Sequence, residues 1–185
     1  MRTAPTLLTI EHALLGFVYE QPAHGYEIYQ RLSAPTGLWA VWRMKQSQLY
    51  ALLGKLEEAH YLVATLQPQE TRPPRKMYAL TDSGRAAFLH WVNSPVTRGR
   101  QMRVEFLAKL YFAYQYTPDA AHQLLEQQLD TCQRWLAELQ QQAPPNRETQ
   151  PFAYAVHQFR LHQIESFLAW LTTCRQAHVA AGEAP

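Results

Sequence analysis

The sequence predicts a mainly α-helical fold interrupted by one β-hairpin, and three observations predict it. Apolar residues recur three and four apart through most of the chain, the spacing of one helix face. Two short runs rich in Val, Leu, Thr and Tyr flank the polar, proline-bearing segment PQETRPPR at 68–75, the pattern of a hairpin with a stiff tip. Apolar residues make up 47% of the 185, aromatics 12% and charged residues 17%, which excludes a solvated disordered chain.

In the first element, residues 7–20, Leu7, Ile10, Leu14, Phe17 and Val18 fall on one helical face until Pro22 stops it. HGYEIYQRL, with Tyr26, Ile28, Tyr29 and Leu32 in helical spacing, forms a second, short helix that Pro35 and Gly37 end; His24 caps or packs at its start. A third helix follows over QSQLYALLGKLEEAHYL, with Leu49, Leu52, Leu53 and Leu56 as its apolar stripe. Residues 61–67 and 76–80 are the hairpin strands. Thr81, Asp82 and Ser83 offer an N-cap and a first-turn negative charge to a fourth helix over 82–93.

Ser94 to Gly99 is the expected domain boundary, because Pro and Gly replace periodicity there, and it divides the chain into 1–95 and 96–185. A helix is expected over 102–115. Thr117 and Pro118 then open a long helix, in which Leu125, Leu129, Cys132, Leu136 and Leu139 step 4-3-4-3. That narrow seam requires a partner helix. Pro144 and Pro145 break the chain before a last helix from Thr149 to about Ala180. Two long antiparallel helices with extensive apolar faces exceed what one small domain can bury, so a homodimer interface is expected in this half.

Charge is unevenly placed. Residues 1–100 carry 11 Lys/Arg against 7 Asp/Glu, and residues 101–185 carry 6 against 8. The order of three helices, hairpin and helix in the basic half is that of a winged helix-turn-helix, whose third helix enters the DNA major groove while the hairpin tip reaches the backbone. With the leucines turned inward, Ser47, Gln48, Ala51 and Lys55 face outward and Tyr50 lies at their flank. Gln48 suits an adenine edge, Lys55 a guanine or phosphate, and the hydroxyls of Ser47 and Tyr50 suit phosphates. Arg72, Arg75 and Lys76 at the hairpin tip suit the DNA backbone through counterion release. The expected partner is double-stranded operator DNA.

HGYEI at 24–28, SQLYALLGKLEEA at 47–59, RPPRKMYALTDSGR at 72–85 and EFLAKLYFA at 105–113 together resemble the PadR family of bacterial transcriptional regulators over about residues 7–115. RLHQIESFLAWL at 160–171 looks like the last helix of that family's longer branch, which has a helical C-terminal dimerisation domain. The resemblance implies a dimer on a palindromic operator, often repressing nearby genes, with release by a small molecule in some members. It places the family's SQ-Y recognition pattern on Ser47, Gln48 and Tyr50, and its basic wing pair on Arg75 and Lys76. Two departures stand out. The usual proline after the tyrosine is Ala51, and where the family reads roughly EEGLV this chain has Ala59, His60, Tyr61, Leu62 and Val63 in place of the glycine turn.

Other chemistry finds little support. Three aspartates, Asp82, Asp119 and Asp130, no GxSxG elbow and no phosphate-cradling glycine loop argue against an enzyme. His157 and His162 stand about 140° apart around a helix at 3.6 residues per turn, and His162 with Glu165 fits a salt bridge, so neither pair argues for a metal; no cofactor is expected. Cys132 and Cys174 read as small buried hydrophobes of a reducing, cytoplasmic protein, with no signal peptide and no membrane partner. Tyr111, Tyr114, Trp135, Phe159, Phe167 and Trp170 are the candidate lining of an apolar pocket for a small aromatic or amphipathic effector. The rival to a regulator is a protein-interaction adaptor built on a winged helix that has lost DNA.

Overall fold

The computed structural model describes residues 7–68 and 74–182. Among the described residues seven α-helices and three strands follow in the order α1 Thr9–Phe17, β1 Ala23–His24, α2 Gly25–Leu32, α3 Gln46–Glu58, β2 Leu62–Gln67, β3 Arg75–Leu80, α4 Asp82–Val92, α5 Glu105–Tyr116, α6 Pro118–Gln140 and α7 Pro151–Gly182. Short 3₁₀ turns occupy Leu38–Ala40 and Gly99–Arg103. The chain forms two compact units. Residues 1–93 with 103–112 make the front one, and 94–102 with 113–185 the back one, so α5 contributes to both.

In the front unit, the predicted leucines Leu49, Leu53 and Leu56 of α3 are fully buried, as are Leu14, Leu15 and Phe17 of α1 and Ile28 of α2. Phe112 of α5 closes this core, with its ring edge-on to Phe17 at 5.3 Å and to Phe88 of α4 at 5.5 Å. Such edge-to-face pairs add to plain area burial. The hairpin forms with Leu62 opposite Leu80 and Gln67 opposite Arg75. Its sheet has a third strand that periodicity did not predict: β1 pairs along β3, Ala23 opposite Tyr78 and His24 opposite Met77. Two residues are too few to show an alternation, and here they also begin a helix.

Helix ends follow local chemistry. Thr81 accepts the Gly84 N–H at 3.0 Å and Thr117 the Ala120 N–H at 3.1 Å, both in the predicted N-cap role. Glu27 reaches back to the His24 N–H at 2.9 Å, which puts His24 at the N-cap of α2. The end of α3 answers the missing glycine. His60 adopts φ 59°, the left-handed conformation that glycine normally supplies. With His60 so placed, its N–H reaches the Glu57 carbonyl at 3.0 Å and the Tyr61 N–H reaches the Leu56 carbonyl at 2.9 Å. This paired pattern is a Schellman motif. The turn into β2 therefore keeps its geometry on an unfavourable residue.

In the back unit α6 packs against α7, so α7 supplies the partner that the seam required. Leu125, Leu129, Cys132 and Leu139 of α6 and Ile164 and Leu171 of α7 are buried. The 94–102 segment is clasped to α6 by buried Gln128, whose Oε1 accepts the Val96 N–H at 2.7 Å while its Nε2 donates to the Val96 carbonyl at 3.3 Å. Both polar groups of Val96 are thereby satisfied away from water. At about 1.5 Å per residue the 32 residues of α7 extend roughly 48 Å. Phe152 and Phe159 on α7 remain 82% and 64% exposed.

Candidate nucleic-acid interface

Along α3 the side chains of Ser47, Gln48, Tyr50, Ala51 and Lys55 are all exposed, opposite the buried leucines. Their chemistry is partly committed within the fold. The Gln48 Oε1 accepts the Lys45 N–H at 3.0 Å, so its amide is turned back to cap the helix start. An adenine contact using both ends of the amide requires that cap to open. Lys55 donates to Oε1 of Glu11 on α1, whose other oxygen accepts the Leu8 N–H at 2.7 Å. Glu11 is only 1% exposed, and a buried carboxylate needs such partners. Lys55 thus serves the core as well as the surface.

Two contacts of Lys76 hold the wing beside this face. Lys76 on β3 pairs with Glu57 of α3 at 2.7 Å, and this hydrogen bond raises the ammonium pKa. The Lys76 carbonyl takes a hydrogen bond from the His24 ring at 3.1 Å. Next to these contacts α2 and α3 approach closely: a Cβ on Gly25 would lie 2.5 Å from the Tyr50 ring, so only glycine lets that ring lie against the start of α2. Together His24, Tyr26, Tyr50, Tyr78, Arg75 and Lys76 border a cleft of about 430 Å³ between α2, α3 and the wing. Burial raises the Tyr78 hydroxyl pKa, so the group stays neutral and able to donate.

Arg75 begins β3 and is exposed, with no carboxylate partner among the described residues. Arg72 lies outside the described residues. Sequence reasoning missed Tyr26, which joins Tyr50 at the cleft, and Lys45, exposed at the N-cap of α3. The run Arg43-Met44-Lys45 immediately before the helix was the available signal.

The six candidate effector residues are distributed differently. Tyr111 lies in the front unit against Phe112 and Phe17. In the back unit, Tyr114 stacks at a tilt on His178 at 5.5 Å, Phe159 and Trp170 are exposed on α7, and Phe167 approaches Gly99. Trp135 alone of the six lines a back-unit cavity of about 590 Å³, which it shares with the 97–100 segment, Glu138 of α6 and Arg160 of α7. Among the described residues no group of three His, Cys, Asp or Glu side chains is placed to hold a metal ion, and no helix is long and apolar enough to cross a membrane.

A three-helix core with a wing beside an exposed polar helix face defines a DNA-binding winged-helix protein. Residues 14–90 match the model of the transcriptional regulator PadR-like family, and residues 102–178 match the model described as virulence activator alpha C-term. The negative transcriptional regulator PadR of Bacillus subtilis is 30% identical over 131 residues, covering 71% of each chain. A probable transcriptional regulator of Mycobacterium tuberculosis is 33% identical over 96 residues, which span half of that protein and 52% of this one. Solved structures of Bacillus subtilis PadR with operator DNA (24% identity, 94% of this chain and 99% of that one, TM-score 0.47) and with p-coumaric acid (25%, 92% and 99%, 0.42) are also similar. The chain belongs to the PadR-like family of transcriptional regulators.

Proposed function

We propose that this regulator is a homodimeric repressor that binds a palindromic DNA operator through α3 and the wing and leaves it when a small aromatic effector binds. Residues 1–95 form the DNA-reading part and 96–185 the part that pairs subunits. The observation that carries the reading is the joint display of Ser47, Tyr50 and Arg75 around one exposed face of the front unit. Its Bacillus subtilis relative, named a negative regulator, supports repression, and the complexes of that relative support operator and aromatic-ligand binding. The exposed Phe152 and Phe159 of α7 support pairing, since large apolar side chains in series mark contact surfaces.

In this reading α3 lies in the major groove, with Ser47 and Tyr50 bonding phosphates and the amide NH₂ of Gln48 meeting base acceptors. Arg75 and Lys76 meet the neighbouring backbone. The test is a series of DNA titrations over a range of salt for the wild type, Arg75→Ala and Lys76→Ala. Each phosphate contact removed lowers the slope of log K against log salt by about one. Unchanged affinity and slope in both variants overturn the wing assignment.

A further inference from the structure

The back-unit cavity is walled by cations that the fold does not use. Arg98 and Arg100 come from the segment preceding α5, and Arg160 comes from α7. All three are exposed, and none has a hydrogen-bond or carboxylate partner for its guanidinium among the described residues. Elsewhere in the same unit an arginine does find an acid: Arg175 pairs with Glu126 at 3.1 Å. One carboxylate, Glu138, also lines the cavity, so the lining carries a net charge of +2 (three arginines against one glutamate). Half-buried Trp135 supplies a flat apolar wall, and Gln163 an amide.

From this lining we infer a binding site for a flat-ringed organic anion with two or more negative charges, an aromatic dicarboxylate or a phosphorylated aromatic. Guanidinium groups hold carboxylate and phosphate oxygens in paired, charge-assisted hydrogen bonds. Arginines from two segments can grip both charges of a dianion, whereas a monoanion leaves a cation unpaired. Trp135 gives the ring a stacking face. The volume of about 590 Å³ lies within the range of small-molecule sites, roughly 300–1,000 Å³. Glu138 lines the same cavity and disfavours ligands whose negative charge is spread over the whole surface, which favours a ligand with its charges localised and a neutral ring for Trp135. The inference concerns binding to the protein alone and stands whether or not α3 reads DNA.

The test is isothermal titration calorimetry of the full chain with phthalate, with adenosine monophosphate and with benzoate as the monoanion control. Saturable binding of one dianion is expected, weakened about tenfold or more by Arg160→Ala or by Arg98→Ala with Arg100→Ala, and about as much in benzoate. Phthalate binding alone identifies a dicarboxylate site and adenosine monophosphate binding alone a phosphate site. Trp135→Leu weakens binding without removing it. Arg147→Ala, an exposed change in the loop before α7, leaves it intact. Absence of binding by both dianions, as when a second copy of the chain covers the cavity, overturns the inference, and so does binding that the arginine substitutions do not change. Because the three arginines are exposed and their guanidinium groups make no hydrogen bond or ion pair among the described residues, unchanged thermal unfolding of the variants is expected, which separates lost binding from lost fold.

Discussion

Replacing His60 with glycine should stabilise the protein. At φ 59° a side chain crowds its own backbone, and for an L-residue the left-handed conformation costs about 1–2 kcal/mol. Glycine removes that strain but loses about 0.5–1 kcal/mol more backbone entropy on folding. The exposed imidazole makes no hydrogen bond among the described residues, so its removal costs little. Features that fix the turn belong to the backbone and persist: the His60 N–H to Glu57, the Tyr61 N–H to Leu56, and the His60 carbonyl that accepts the Thr81 hydroxyl at 2.7 Å and the Ser83 hydroxyl at 3.0 Å. The net gain is therefore between about 0 and 1.5 kcal/mol and centred on about 0.75 kcal/mol, or about 1.5–3 °C in melting temperature for a chain of this size. Thermal unfolding followed by circular dichroism measures it. His60→Val, which puts a β-branched residue at the same φ, should move the melting temperature the other way. A lower melting temperature for His60→Gly, or no loss for His60→Val, would refute the assignment of strain to this position.

Lys55→Ala leaves the Glu11 carboxylate buried with the Leu8 amide as its remaining hydrogen-bond partner. Because Lys55 is 58% exposed, solvent screens the pair, and the loss should be about 1 kcal/mol, read as a lower urea midpoint and partly restored by adding Glu11→Gln. An unchanged midpoint would show that the pair contributes nothing and that Lys55 is available to DNA alone. His12 is stacked on Trp91 at 5.2 Å, and its pKa lies below the ordinary 6.5 chiefly because partial burial disfavours the charged ring, opposed by the Leu8 carbonyl and Glu105. The unfolded chain then binds a proton that the folded chain resists, so stability is complete above pH 6.5 and declines as pH falls below it. Melting temperatures at pH 7.5 and 5.5 should differ less in His12→Phe than in wild type; an equal difference removes His12 as the cause.

The helical framework was legible in the sequence because apolar spacing and punctuation agreed. Leu49, Leu53 and Leu56 went inward as spaced, and Thr81 and Thr117 capped the helices they precede. β1 was illegible because its pairing with β3 is long-range and its two residues carry no period of their own. The exposed positions of α3 could be read from the helix face. What those side chains already hold could not, since Glu11 meets Lys55 across 44 residues and Glu57 meets Lys76 across the hairpin. Aromatic residues were the least informative: Trp135 lines a cavity, whereas Tyr111 packs beside core rings and Phe159 stays exposed, although all three are equally apolar in one dimension.

The most direct test of the regulator reading is a fluorescence-anisotropy titration of the purified protein against the DNA upstream of its own gene and against a scrambled duplex, each at two salt concentrations. Operator-specific repression requires tighter binding to the upstream DNA, by about a thousandfold or more over nonspecific DNA, with affinity for both falling steeply as salt rises. Equal affinity for the two duplexes, or binding to neither, would contradict it.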